Sequence, residues 1–454
     1  MDFQNACALV IGCGMSGVAA AKLLKGAGAK VVLFDSNADL DLKALEDKFT
    51  ETERPVFAKG ELSEEQKQEI TVVVPSPGVP VDTGMVAEFA QKDIPVIGEL
   101  ELGYLFAKGK LIAITGTNGK TTTTALTGEI MRNYAKSVFV VGNIGNPYTL
   151  EAGKTTYSSY TVAEVSSFQL ETIDSFKPDA SAILNITPDH LNRHHTMENY
   201  VAVKENIAKN QAPGSVCVLN YEDSYTKKFG ESLTEVWPVY FSSARKLKDG
   251  IWADDEAIYL ASAGVDTFVM RIDEMSLLGK HNVENVMAAI ALTLSVGVPL
   301  PSIVETVKQF KAVEHRIEYV ATKKGVAYYN DSKGTNPDAA IKAVEAMNRP
   351  TVLIGGGYDK QNTYDEWIES FGDKIKCLVL LGQTREKIAE CARAHGFTDI
   401  IMTESLEEAV SVCAAQAKDG DAVLLSPACA SWGMFPNYEV RGRMFKDLVN
   451  ALED

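Results

Sequence analysis

ITGTNGKTTTT, residues 114–124, continues the apolar run KLIAIT (110–115). An apolar strand that breaks at a Gly/Asn-rich loop and continues as a helix is phosphate-holding geometry. Loop N–H groups and a helix N-terminus converge on one point, and both favour an anion. The complete nucleotide loop is GxxxxGK[ST]. Gly119-Lys120-Thr121 supply its end, while Ile114 stands where its first glycine belongs. Backbone N–H groups of 116–121 are placed to wrap phosphate oxygens, with Lys120 reaching the β/γ-phosphates and Thr121 ligating Mg²⁺. The competing reading is an ordinary strand-to-helix turn, which gives no role to a Lys-Thr pair at the helix start.

Working outward, SVFVVGN, YTVAEVSS and ASAILNIT are strand-like runs that end in polar residues. Upstream, ACALVIG (6–12), GMSGVAAAKLLKGAG (14–28) and KVVLFD (30–35) read as strand, amphipathic helix and strand, and TVVVPSPGVP (71–80) is a strand stopped by prolines. Between about 215 and 275 the strand signals shorten, and ENVMAAIALTLSVGVP (284–299) is a helix ended by Gly297 and Pro299. Downstream, VAYYNDS, TVLIGGG, CLVLLG and AVLLSPA alternate with helical stretches near 337–347, 384–395 and 405–417. Strands alternating with helices predict α/β architecture with parallel sheets and sites at the strands' C-terminal ends. The expected domains are 1–98, 99–312 and 313–454.

A second phosphate candidate is Gly12-Cys13-Gly14-Met15-Ser16-Gly17, a GxGxxG between strand and helix, with Asp35 ending the next strand. Alone it reads as a dinucleotide site. The motif serves any nucleotide diphosphate; an NAD-dependent oxidoreductase is the rival class, but the chain offers two nucleotide-type sites and a plain dehydrogenase needs only one.

The 454 residues carry a formal net charge of −17. Phosphate-backbone binding needs a basic face, so nucleic acid is not an expected partner. Seven scattered cysteines without a CxxC pair read as reduced thiols of a cytoplasmic protein. The N-terminus lacks a basic segment before its apolar run, and no apolar stretch reaches the roughly 18 residues of a membrane span.

Glu164 ends the strand TVAEV, where a carboxylate beside a phosphate loop suits Mg²⁺; a solvent-exposed strand end is the alternative. ITPDHLNRHH (186–195) gathers three of the six histidines. His190 and His194 have the spacing of a zinc pair on a helix, but Pro188 and Asp189 suggest that His190 lies in the preceding loop, where contact with Mg²⁺ or phosphate is the better expectation and a plain surface cluster the remaining one. His315-Arg316 and Asn330-Asp331-Ser332-Lys333 open the third region. Cations there suit charge developing on a transferred phosphoryl group, or else form surface ion pairs.

TGTNGKTT, AEVSSFQLE, NITPDHLNRH, LLGKHNVENVMAA, EHRIE, NDSKGTNPDA and LSPACASWGMFPNYEVRGRMF follow one another across the chain. Together they resemble the Mur ligases, and NDSKGTN with LSPACAS resembles the members that use D-glutamate. The resemblance implies a Rossmann-like UDP-sugar domain, a central P-loop ATPase domain with a mostly parallel sheet, and a Rossmann-like domain for the amino acid. It implies an ATP-dependent amide ligase of peptidoglycan synthesis that joins D-glutamate to UDP-N-acetylmuramoyl-L-alanine through an acyl phosphate, with Mg²⁺ and a possible second divalent ion. A monomer is expected.

Carried over by residue, Gly14, Met15, Ser16, Asp35, Ser36, Ser76, Pro77, Gly78 and Asn143 would hold the UDP-sugar. Gly116, Thr117, Asn118, Gly119, Lys120, Thr121 and Thr122 would hold the ATP phosphates, with Asn282 and Asn285 near adenine and Arg316 and Asp331 near phosphates and ribose. Thr121, Glu164, His190 and Lys204, the last as a carbamate, would be metal ligands. Lys204 is otherwise an exposed helical lysine. Lys120, His190, Lys204 and Lys333 would carry the chemistry, with Lys333 on the acyl phosphate. Thr335, Lys360, Ser431 and Tyr438 would surround D-glutamate.

Overall fold

The computed structural model describes residues 2–453, which form three sheets with flanking helices. The first sheet holds β1 (Cys7–Ile11), β2 (Lys30–Asp35), β3 (Val56–Lys59) and β4 (Val72–Pro75) in the order β3-β2-β1-β4, all parallel. Ala8, Val10, Val31, Leu33, Val72 and Val74 pack on one face, and Cys7, Leu9, Ile11, Val32, Phe34 and Val73 on the other. Burial on both faces is why these strands read as continuous apolar runs. The sequence reading lacked β3, a four-residue edge strand without fully buried side chains.

The second sheet comprises β5 (Lys110–Thr115), β6 (Val138–Gly142), β7 (Tyr160–Glu164), β8 (Ala180–Ile183), β9 (Val216–Asn220), β10 (Trp237–Ser242), β11 (Gly250–Ala253), β12 (Ala257–Ser262) and β13 (Val265–Arg271). Their order is β13-β12-β11-β10-β9-β8-β5-β7-β6. Pairing is parallel from β6 to β11, and β12 and β13 add an antiparallel ribbon. The short strand signals between 215 and 275 are this far edge. β5 lies between β7 and β8, with Ile114 paired to Glu164 and Thr115 to Ile183. The loop after β5 therefore opens between two parallel neighbours, where side chains at the strand tips can reach it.

The third sheet has the order β14-β15-β19-β16-β17-β18, from β14 (Glu318–Lys323), β15 (Val326–Asn330), β16 (Thr351–Gly355), β17 (Ile375–Leu380), β18 (Ile400–Met402) and β19 (Ala422–Leu425). Only the β14–β15 pair is antiparallel. Leu353, Leu378 and Leu424 face one core layer; Val352, Val379 and Val423 face the other. The helices Pro337–Ala346, Arg385–Ala394 and Leu406–Gln416 fall where the sequence spacing puts them. Asn336 and Ser405 cap two of them by accepting from backbone N–H groups.

The chain clusters into two compact units: residues 1–272 with 284–307, and residues 273–283 with 308–454. The first two sheets share one unit. The segment 273–283, which the sequence reading assigns to the central region, clusters with the second unit because Leu278 packs on the core of the third sheet.

Candidate functional site

The loop after β5 is built by two glycines. Gly116 (φ +151°) and Gly119 (φ +84°) take backbone angles that other residues rarely adopt, and the helix Lys120–Tyr134 begins directly after them. A Cβ on Gly119 would collide with Asn285 Oδ1. Neighbouring strand tips hold the loop. Thr117 N–H donates to Asn185 O at 2.9 Å and Asn118 N–H to Asn185 Oδ1 at 2.8 Å. Thr117 Oγ1 lies 3.1 Å from both Thr187 O and the Tyr200 hydroxyl. Lys120 Nζ donates to Gly116 O at 2.7 Å and Thr117 O at 2.8 Å. Thr121 and Thr122 are buried in the helix's first turn.

Lys204 is not the exposed helical lysine of the bland sequence reading: it is 1% exposed. Its Nζ donates to Gly116 O at 2.9 Å and lies 4.7 Å from the Tyr200 ring centroid. Two lysines thus share one carbonyl oxygen. Burial, reinforced by the Lys120 charge, pushes the Lys204 ammonium well below its ordinary range. The charged form of this side chain is thereby disfavoured.

Glu164 likewise leaves the solvent-exposed alternative behind, at 1% exposure. Its Oε1 accepts from Asn143 Nδ2 at 2.7 Å, while Oε2 is buried with no hydrogen-bond partner among the described residues. A buried carboxylate oxygen lacking a donor beside a phosphate loop fits a hard cation. His190 lies in the loop before the short helix Leu191–His194, as Pro188 and Asp189 suggested, with φ +52° and a ring 4.8 Å from that of Phe168. Its Nε2 is 3.4 Å from Asp189. His194 is turned into the core instead, with Nε2 2.9 Å from Ser167 Oγ and Nδ1 3.4 Å from Glu171. The two histidines have separate polar partners, although both rings pack on Phe168, and no cluster of three or more potential metal ligands among the described residues includes either.

In the first sheet's loop, Asp35 Oδ2 accepts from Cys13 N–H at 3.0 Å and Oδ1 from Asn37 N–H at 3.0 Å, tying the tip of β2 across the glycine loop to Ser36 and its neighbours. A Cβ on Gly17 would strike Gly12 O, so this loop also requires glycine for close backbone approach. Gly14 faces open space and Met15 is 76% exposed, leaving this face of the turn accessible beside Ser16. Ser76 N–H donates to Ile11 O, and its hydroxyl is buried without a hydrogen-bond partner among the described residues. Ser76 and Pro77, next to Gly78, line a small pocket completed by Gly98, Phe168, Gln169 and Thr172. Arg193, which the sequence reading did not single out, donates both to Glu171 and to Val79 O.

The second unit has its own polar centre at the tips of β15 and β19. Asp331 is buried; it accepts from Ser426 Oγ at 2.7 Å and Ile317 N–H at 3.3 Å. Burial pushes its carboxyl up to about 7 against these hydrogen bonds and the Arg316 charge. Arg441, 2% exposed, holds the surrounding loops: it donates to Ser332 Oγ at 2.9 Å, Ser332 O at 2.7 Å and Cys429 O at 3.2 Å. Ser332 Oγ in turn donates to Tyr438 O at 2.8 Å. Lys333 Nζ lies 5.5 Å from the Tyr438 ring centroid, and Thr335 N–H donates to Lys333 O. Ser431 is buried, and its carbonyl accepts from Phe435 N–H. Lys360 is exposed, 5.0 Å from the ring of Trp432, which follows Ser431 in the chain. Asp331, Lys333 and Tyr438 therefore share one loop cluster, while Lys360 belongs to its rim.

The two candidate adenine contacts lie three residues apart on one helix, Lys280–Ser295. Asn285 sits at the phosphate loop, its Oδ1 accepting from Thr123 Oγ1 at 3.3 Å. Asn282 belongs to the second unit and donates to Leu278 O at 2.7 Å. Arg441, Asn185 and Tyr200 are supports that sequence reasoning missed. Asn185 and Arg441 lie within the quoted NITPDH and YEVRGR stretches, the only signal that pointed to them.

Three family models match in order: a Mur ligase MurD-like N-terminal domain over 6–98, a Mur ligase middle domain over 114–293, and a Mur ligase glutamate ligase domain over 315–429. The chain is 55% identical over 453 residues to a UDP-N-acetylmuramoylalanine--D-glutamate ligase of Lachnospira eligens, and 53% identical over 456 to one of Lachnoclostridium phytofermentans, each covering all of both chains. The fold is shared with the UDP-N-acetylmuramate-alanine ligase MurC of Thermotoga maritima (TM-score 0.60, 20% identity, 98% and 99% of the two chains). It is shared also with MurF of Acinetobacter baumannii (TM-score 0.61, 19% identity, 93% and 91%).

Proposed function

The chain belongs to the Mur ligases, and on that premise we propose that it joins D-glutamate to UDP-N-acetylmuramoyl-L-alanine at the expense of ATP. As an ATP- and Mg²⁺-dependent ligase of peptidoglycan precursor synthesis it has two bonds to make. In the first step a carboxylate oxygen of the alanine attacks the γ-phosphorus of ATP, ADP departs, and an acyl phosphate results. In the second the amine of D-glutamate attacks the acyl carbon, the tetrahedral intermediate collapses, inorganic phosphate leaves, and the amine proton passes to solvent. Positioning and charge neutralisation are most of what the protein must supply.

The observation that carries the chemistry is Glu164 at the tip of the strand beside the phosphate loop, with one buried oxygen lacking a hydrogen-bond partner among the described residues. Glu164 would hold Mg²⁺ there, and the ion would supply neutralisation of phosphate charge and polarisation of the γ-phosphoryl group. In this reading Thr121, Glu164, His190 and Lys204 would hold the metal. The Lys204 amine adds to CO₂ and releases one proton to form a carbamate, replacing a cation with an oxygen ligand. Its burial and its suppressed ammonium form support that assignment. A second divalent ion fits the added negative charge. Lys120 and the amides of 116–122 hold the ATP phosphates, Asn282 and Asn285 flank adenine, and Arg316 and Asp331 serve phosphates and ribose. Gly14, Met15, Ser16, Asp35, Ser36, Ser76, Pro77, Gly78 and Asn143 hold the UDP-sugar. Lys333 steadies the acyl phosphate, and Thr335, Lys360, Ser431 and Tyr438 receive D-glutamate. We assign the three steps of binding to domains 1–98, 99–312 and 313–454 of a cytoplasmic monomer. No helix among the described residues is long and apolar enough to cross a membrane.

Phosphate release from ATP and Mg²⁺ with UDP-N-acetylmuramoyl-L-alanine tests the reading, with D-glutamate present, omitted or replaced by L-glutamate. Release that requires D-glutamate is expected. Turnover only with another amino acid would reassign the substrate, and silence with every amino acid would refute the ligase.

A further inference from the structure

The third sheet carries a group of donors that the ligase reading leaves unused. Asp365 opens the helix Asp365–Glu369, Cys391 lies in the helix Arg385–Ala394, and His395 caps that helix. Cys391 and His395 are one turn apart on one helix face, and Asp365 and Glu369 are one turn apart on the other. A carboxylate oxygen of Asp365, the Cys391 sulfur and a ring nitrogen of His395 all lie within 4.8 Å of one another. His395 Nε2 is 3.0 Å from Asp365 Oδ1, while its Nδ1 is 3.6 Å from Glu369 Oε1. Six of the seven cysteines are buried, and Cys391 is the one that is only partly so.

We propose that Asp365, Cys391 and His395 form a site for a zinc-class divalent cation, with Glu369 orienting the histidine. Thiolate, imidazole and carboxylate together suit a borderline-soft ion, whereas Mg²⁺ and Ca²⁺ select all-oxygen shells. On binding, His395 Nε2 gives its lone pair to the ion with the ring proton on Nδ1, and the Cys391 thiol gives its proton to solvent. Nδ1 then faces Glu369 Oε1 at 3.6 Å, close enough for the carboxylate to close on it, and a carboxylate on the second ring nitrogen fixes the ring and raises its basicity as a ligand. Three protein ligands leave one tetrahedral position for water. The helix that begins at Asp365 follows the loop bearing Lys360, so the ion ties that loop's downstream end to the neighbouring helix.

The test is titration of the full-length protein with Co²⁺ in the absence of Mg²⁺ and nucleotide, followed by the thiolate-to-cobalt absorption band. One equivalent should produce the band. Cys391→Ser should abolish it with circular dichroism unchanged, because the other thiols are buried. Glu369→Gln, at an exposed position that cannot decide folding, should weaken Co²⁺ binding about tenfold or more. No thiolate band in the wild-type protein, or a band that survives Cys391→Ser, overturns the site and leaves an ordinary set of hydrogen bonds between two helices.

Discussion

At the scale of single residues, the buried lysine is the most telling feature. Lys120 and Lys204 both donate to the carbonyl of Gly116, and only Lys204 lacks solvent to support its charge. Lys204→Ala should lower turnover by on the order of 10²–10³-fold, the usual consequence of losing a charge-positioning group. Short carboxylic acids such as acetate should partly restore it by supplying the missing oxygen ligand, and wild-type turnover in the variant would refute the carbamate. His194 gives a pH prediction of a different kind. Burial, then the Arg193 charge, lowers its folded-state pKa to about 4, against roughly 6.5 in an unfolded chain. Above pH 6.5 the ring is neutral in both states and stability is complete. As pH falls from 6.5 towards 4, the unfolded chain binds a proton that the folded chain refuses, so stability is lost. The loss from this residue reaches about 2 kcal/mol at pH 5. Denaturant midpoints at pH 7 and 5 should show it, and His194→Gln should flatten the difference. An unchanged difference would assign the acid sensitivity elsewhere.

At the scale of elements, the two glycine loops look alike in sequence but carry different constraints. Gly119 has φ +84° and would drive a Cβ into Asn285, whereas Gly14 has φ −73° and open space around it. Gly119→Ala should destabilise the first unit by about 2 kcal/mol or more and weaken nucleotide binding. Gly14→Ala should leave stability within about 0.5 kcal/mol; equal unfolding midpoints for the two variants would contradict this contrast. Spacing made the phosphate loop legible because the strand, the Gly-Lys-Thr end and the helix start lie within one short run. The same locality made the helical stretches near 337–347 and 405–417 readable. Arg441 was not readable as a support: its partners Ser332 and Cys429 are far away in sequence or set by a loop, and only folding brings them to one guanidinium. Nor was Lys204's burial legible, since it depends on Tyr200 and on a loop some ninety positions upstream, about the 88 that separate Lys204 from Gly116. The edge strand β3 escaped because its side chains are not buried deeply enough to impose an apolar pattern.

At the scale of the whole molecule, three sheets make two compact units, because the first two sheets share one. Each unit has buried layers on both sides of a sheet, so each contains what a cooperative transition requires. The residues proposed for the UDP-sugar, from Gly14 to Asn143, all lie in the first unit. The residues proposed for D-glutamate, from Thr335 to Tyr438, all lie in the second. Calorimetry should therefore resolve two transitions. UDP-N-acetylmuramoyl-L-alanine alone at about 100 times its Kd should stabilise the first unit by about 2.7 kcal/mol, since a ligand that binds only the folded form stabilises it by RT ln(1 + [L]/Kd). The second transition should stay where it is. Lys333→Ala, which removes a cation from the second unit, should leave the ligand-induced shift of the first unchanged while lowering turnover. A single transition that moves as a whole would show that the two units unfold as one. A shift confined to the second unit would place the sugar nucleotide on the wrong half of the chain, and with it the role assigned to Gly12–Gly17.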